Sequence, residues 1–240
     1  MKIADRLTKK YFNAVYNPVY DSTTAKLDRY RSLQQRCVAK LDLHDSDKVL
    51  CVGVGTGNEI THIFDANRNV EIVGVDYSSS ALQKARRRAS WLGKEIDVHL
   101  MDARNLAFET DSFDKVLCIH VMDFLDGRGG ATRELFRVLK PGGRFVVTYP
   151  SGKEDTNMLL GLVKDNMRQR VEAGENSGRV FFKVAAQLMT AVVYLPLLFR
   201  PGKEICPYGE IEDLIAGLNC KSHRIEEDKV YHDFVVHGVK

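Results

Sequence analysis

Three glycines at alternate positions, Gly53, Gly55 and Gly57, follow the apolar run Val49-Leu50-Cys51-Val52 and lead straight into a helix that begins near Glu59. Glycine lets the backbone turn tightly and approach a ligand closely, and the start of a helix presents N–H donors, so the stretch suits a nucleotide-type ligand. A dinucleotide fingerprint would need glycine at 53, 55 and 58, and residue 58 is Asn, which counts against NAD. Asp76 ends the next apolar run, nineteen residues beyond Gly57, where a carboxylate can accept from both hydroxyls of a ribose. Asp102 ends a third short run, Val98 to Met101, and can accept from an exocyclic adenine amine. His120 closes a fourth run that starts at Phe113. Open α/β sheets place ligands at that end of a strand, and a histidine there can take a proton.

Strands and helices must alternate to bring these residues together. The pattern predicts strands over 48–54, 70–75, 97–101, 113–120 and 144–149, with helices over 79–92 and 130–139, where Leu135 and Leu139 point inward. Ahead of them, residues 23–41 read as a helix with Leu27, Tyr30, Leu33, Cys37 and Leu41 on one face. Such alternation implies a parallel sheet with right-handed crossovers. Near the end, Tyr208 to Ile215 reads as a helix, and 221–227 and 229–239 as two strands whose short connection favours an antiparallel pair at the sheet edge.

With Leu139-Lys140-Pro141-Gly142-Gly143 added, these landmarks resemble the class I S-adenosylmethionine-dependent methyltransferases over roughly residues 45–150. Within that class, Tyr16-Asn17-Pro18-Val19-Tyr20-Asp21 is similar to the Tyr-Asp element of the quinone-biosynthesis C-methyltransferases and related small-molecule or lipid enzymes. The resemblance implies an α/β, Rossmann-like, doubly wound sheet of seven mostly parallel strands with an antiparallel last strand, plus a helical lid insertion. It implies S-adenosylmethionine as cofactor and S-adenosylhomocysteine as product. Cofactor contacts are then expected from Gly53, Val54, Gly55, Thr56, Gly57, Asp76, Tyr77, Asp102, Ala103 and His120, with Tyr16 and Tyr20 closing over the methionine end. One departure stands out. The family usually carries Asp or Glu two residues before the first glycine, and this chain has Cys51.

Composition agrees with one domain: 240 residues, 44% of them apolar, can bury a sizeable core. The expected organisation is an N-terminal helical cap over 1–44, a cofactor-binding core over 45–151, an apolar helical lid over 152–206, and a C-terminal helix and strands over 207–240. With 35 basic and 32 acidic residues the net charge is only +3, so a dominant nucleic-acid role is not indicated. The densest basic cluster, Lys84, Arg86, Arg87 and Arg88, alternates with Leu82, Ala85 and Ala89 at helical spacing and reads as a solvated outer face. Five scattered cysteines fit a reducing compartment, and neither they nor the seven dispersed histidines have metal-ligand spacing, so no metal is expected. Residues 1–6 have no apolar secretory core after their charges, which makes a cytoplasmic location the expectation.

The apolar run Phe181 to Phe199 is interrupted by Lys183, Gln187 and Pro196, so amphipathic helices fit it better than a membrane span. Packing on the core explains it most simply. It could also line a pocket for a greasy acceptor, touch a membrane surface through 179–200, or pair two copies of the chain.

A sulfonium methyl group is already activated, so transfer needs an aligned nucleophile, an apolar cage and sometimes a base, for which His120 is the candidate. No Asp-Pro-Pro-Tyr or Asn-Pro-Pro-Tyr element and no Pro-Cys nucleophile follows the fourth strand; Ile119-His120-Val121-Met122 stands there. The expected acceptor is therefore a small, lipophilic molecule such as a quinone precursor, a phenol or a lipid headgroup. A nucleic-acid methyltransferase and an idle cofactor-binding partner subunit, the latter suggested by Cys51, are the alternatives.

Overall fold

The computed structural model describes residues 10–17, 21, 28–151, 171, 172, 174, 176, 178, 206–228 and 233–240. Most of the expected lid, Tyr20 and the side chain of Tyr16 lie outside the described residues. The elements in chain order are a π-helical turn Phe12–Tyr16, α1 (Asp28–Ala39), β1 (Lys48–Val52), α2 (Asn58–Ala66), β2 (Glu71–Asp76), α3 (Ser79–Trp91) and β3 (Asp97–Leu100). Then come β4 (Phe113–Cys118), a 3-10 turn Met122–Phe124, α4 (Arg128–Val138), β5 (Leu139–Tyr149), α5 (Tyr208–Ala216), β6 (Ser222–Glu227) and β7 (Phe234–Val239).

The seven strands form one sheet in the order β3-β2-β1-β4-β5-β7-β6. Strands β1 to β5 pair in parallel, and β7 runs antiparallel to both β5 and β6. The order reverses between β1 and β4, and ligands of open α/β sheets bind at such a switch point, outside the carboxyl ends of the strands. Alternate residues of each strand enter opposite cores. Leu50 and Val52 face a cluster with Ala131, Leu135 and Phe136 of α4 and Ile211 and Ile215 of α5. Val49 and Cys51 face Leu33 and Cys37 of α1, Ile60 and Ile63 of α2, and Leu82 and Ala85 of α3. Helices thus cover both faces, which is why the inner strands read as continuous apolar runs.

The differences from the predicted boundaries have local causes. Strand β1 stops at Val52 because the N–H groups of Gly53 and Val54 both turn onto the carbonyl of Val75, at 2.7 and 3.0 Å. Strand β4 stops at Cys118, two residues short, because His120 has φ 54° and leaves the ladder. Helix α4 covers Arg128–Val138, and the expected turn at Lys140-Pro141-Gly142-Gly143 is absorbed into β5. There the pairing slips from Phe113 opposite Leu139 to Lys115 opposite Arg144, so the extra residues form an irregularity in the strand. Tyr30, Leu33 and Cys37 are buried along α1 as expected, Leu41 is buried two residues past its end, and Leu27 lies outside the described residues.

Candidate functional site

All three glycines of the turn have positive φ, at 67°, 52° and 83° for Gly53, Gly55 and Gly57, a backbone state that disfavours side chains. A Cβ at Gly57 would stand 3.0 Å from Cα of Ala85, so this glycine lets α3 pack against the turn, whereas one at Gly55 would meet nothing nearer than the Gly53 carbonyl oxygen at 3.8 Å. Gly55 therefore offers room to a ligand. A Cβ at Gly53 would collide with the side chain of Val121, the neighbour of His120. Gly53→Ala adds that clash to the cost of a left-handed alanine and should destabilise the fold by about 2 kcal/mol or more. A thermal melt should show Tm lower by roughly 4 °C or more.

Two turn residues face elsewhere. Val54 is buried against Gly74. The Thr56 hydroxyl donates to the Asp21 carboxylate at 2.6 Å, which leaves its backbone as the part of this residue that lies along the turn. Asp21 also pairs with Lys84 at 3.1 Å and Arg88 at 2.9 Å, and Arg88 Nε donates to the Thr56 carbonyl at 3.0 Å. Half of the basic cluster that reads as a solvated face thus seats the N-terminal segment on the glycine turn. The side-chain amide of Asn17 adds hydrogen bonds to the Ser78 and Ser80 hydroxyls at 2.8 and 3.0 Å.

Asp76 ends β2 and is 8% exposed. Its Oδ2 accepts from the Gly55 N–H at 2.9 Å and its Oδ1 from the Ser78 N–H at 2.8 Å. The carboxylate is thereby locked to the turn, with lone pairs remaining for further donors. Tyr77 follows, half-buried. Asp102 stands just beyond β3, exposed, beside the buried Ala103. The side chain of Arg104 grips both Asp102 oxygens at 2.6–3.2 Å, and that hydrogen bonding holds the carboxyl below the usual range.

His120 is the centre of a third group. Its N–H donates to the Thr148 hydroxyl oxygen at 2.8 Å, which fixes the left-handed turn after β4. The ring stacks on Tyr30 of α1 with centroids 5.2 Å apart. Nδ1 lies 3.0 Å from the fully buried Asp233, just ahead of β7, and 3.6 Å from Asp123 in the 3-10 turn. Burial opposes the charged ring, yet the two carboxylates prevail and raise its pKa well above the ordinary value. These three residues could also span a divalent ion, their ligand atoms lying within 4.8 Å of one another. The sequence did not show this: Asp233 is 113 residues from His120, and only the β5–β7 pairing brings it over. An Asp inside the apolar stretch 229–239 that already read as a strand was the signal available.

Residues 50–147 match the model of a methyltransferase domain. Over that span the chain is similar to methyltransferase domains. The chain is 31% identical over 118 residues to a ubiquinone/menaquinone biosynthesis C-methyltransferase of Desulfotalea psychrophila, covering 48% of this chain and 47% of that one. It is 29% identical over 177 residues to a phosphatidylethanolamine N-methyltransferase of Cereibacter sphaeroides, covering 73% and 84%. Among solved structures, magnesium protoporphyrin IX methyltransferase from Synechocystis with bound S-adenosylmethionine superposes with TM-score 0.63 at 12% identity, covering 100% of this chain and 98% of that chain, a likeness of fold alone. The chain spans about half the length of the first curated relatives it matches. The matched span ends within β5, so α5, β6, β7 and Asp233 lie outside it.

Proposed function

We propose that this chain transfers a methyl group from S-adenosylmethionine to a small lipophilic acceptor, a quinone precursor, a polyketide-like phenol or a lipid headgroup. The observation that carries the reading is the position of the His120, Asp123 and Asp233 group at the same sheet end as the glycine turn, one strand from it across the switch point. Relatives named for quinone and phosphatidylethanolamine methylation support this acceptor class.

When bound, S-adenosylmethionine supplies an electrophilic methyl group. Asp76 would hold its ribose, Asp102 its adenine amine, and the backbone at Gly53 to Gly57 would lie against it, with Tyr77 and Ala103 beside the adenosine and Tyr16 and Tyr20 toward the methionine end. His120 would receive the acceptor's proton, since Asp233 and Asp123 stabilise the imidazolium that forms. Segment 179–200 would wall the acceptor pocket, and contact with a membrane surface or a second copy would cover its remaining apolar side chains. No helix among the described residues is long and apolar enough to cross a membrane.

Labelled S-adenosylmethionine offered with a demethylated quinol, a phenolic polyketide, phosphatidylethanolamine vesicles and total RNA tests the reading. We expect label in one of the first three. Label in RNA alone supports a nucleic-acid enzyme, and cofactor binding without transfer to any acceptor supports an idle partner subunit.

A further inference from the structure

Cys51 is 2% exposed in β1, and its thiol is pushed far up by burial, so no charge exists where relatives of this class usually carry an acid. A carboxyl does lie nearby, and it comes from a helix. Glu59 sits in the first turn of α2 and is 8% exposed. Its Oε1 accepts from the side-chain amide of Gln34, which reaches across from α1 at 2.8 Å and is fully buried. Burial raises the Glu59 carboxyl, against the hydrogen bond from Gln34 and the positive charge of His120 and Arg88. Glu59 opens α2 directly after the glycine turn that leaves β1, at the carboxyl end of β1 and beside β4, the two strands that flank the switch point.

Gln34 supplies a second, independent sign. Its Oε1 is buried and has no hydrogen-bond partner. A buried acceptor without a donor costs about 1–3 kcal/mol, and a nearby cation favours the charged form of a buried carboxyl, so the pair can take a further donor. A cationic donor would balance both. Sheet order says which part of a ligand that would be. Asp102 follows β3 and Asp76 ends β2, so an adenosine held by them occupies that side, and the rest of the molecule must extend over β1 toward β4. Glu59 lies in that direction, and His120 lies just beyond it.

We propose that Glu59, positioned by Gln34, receives the α-ammonium of the methionine end of S-adenosylmethionine, taking from helix α2 the role that an acid on β1 would otherwise fill. This rests on the cofactor assignment above. The smaller Cys51 side chain is then the counterpart of the relocated acid, and the departure at residue 51 no longer argues for an idle site.

Calorimetry with two ligands separates the possibilities: S-adenosylhomocysteine, which carries the ammonium, and 5′-methylthioadenosine, which lacks the amino-acid end. Glu59→Gln keeps an acceptor for Gln34 and should weaken S-adenosylhomocysteine about 10- to 100-fold. Binding of 5′-methylthioadenosine should stay within about threefold, which also shows that the variant is folded. Adding Cys51→Asp to Glu59→Gln should recover most of the lost affinity. Equal weakening of both ligands, or unchanged S-adenosylhomocysteine affinity, overturns the role of Glu59 alone. If the native chain binds neither ligand, the cofactor assignment falls and this proposal with it.

Discussion

An Asp76→Ala variant should bind S-adenosylhomocysteine roughly 30- to 700-fold more weakly than the native chain, the equivalent of about 2–4 kcal/mol for a pair of charge-assisted hydrogen bonds. The ribose contact is only part of the loss. Asp76 also receives the Gly55 and Ser78 N–H groups, so alanine leaves two backbone donors short of an acceptor at the turn that must meet the ligand. Each such donor costs about 1–3 kcal/mol where it stays buried, and Tm should fall together with affinity. Asp76→Asn separates the two effects. Its carbonyl oxygen can keep one backbone donor while the charge is gone, so Tm should recover more than affinity does. Native affinity in a folded Asp76→Ala variant would refute the ribose assignment.

Residues whose positions follow from their own strand were legible in the sequence. Gly53, Gly55, Gly57 and Asp76 sit at the ends of apolar runs, and a strand end needs nothing distant to define it, so their placement follows from local pattern alone. The sheet was legible for the same reason, down to the antiparallel edge pair. Relations across the chain were not. Thr56 reads as a ligand contact until Asp21, 35 residues earlier, takes its hydroxyl. Lys84 and Arg88 read as surface charges until the same aspartate pairs with them. Cys51 reads as a missing acid until the buried Glu59 of α2, hydrogen-bonded by Gln34, is seen at the same end of β1. In each case the deciding partner comes from another element, and helical or strand periodicity carries no information about it. The predicted lid and the N-terminal tyrosine contacts fall mainly outside the described residues.

The largest effect on turnover is expected at His120. With the acceptor found by the labelled-cofactor panel, His120→Ala should lower kcat about 10²–10⁴-fold, the usual worth of a positioned base. The charge on the ring gives this a pH signature. Among the described residues the carboxyls of Asp233 at 3.0 Å, Asp123 at 3.6 Å and Glu59 through space bear on His120, with the Tyr30 ring stacked on one face. Asp233 and Asp123 raise the imidazole pKa, so the ring keeps its proton to higher pH than an ordinary histidine, and while protonated it cannot take another. The rate should therefore climb with pH until the ring deprotonates, above the ordinary histidine range. Asp233→Asn removes the nearer charge, lowers the pKa and moves the climb to lower pH. A role in packing alone would depress the rate at every pH without moving the profile. Stability carries the opposite sign. A pKa raised by folding stabilises the native chain fully below the unfolded value of about 6.5, and that stabilisation is lost as pH rises through the folded value. Native Tm should thus fall over the same interval in which activity rises, and His120→Ala should flatten that fall. If activity and Tm in the native chain and in Asp233→Asn vary with pH in parallel, His120 is held by its carboxylates for structure, and the acceptor's proton leaves by another route.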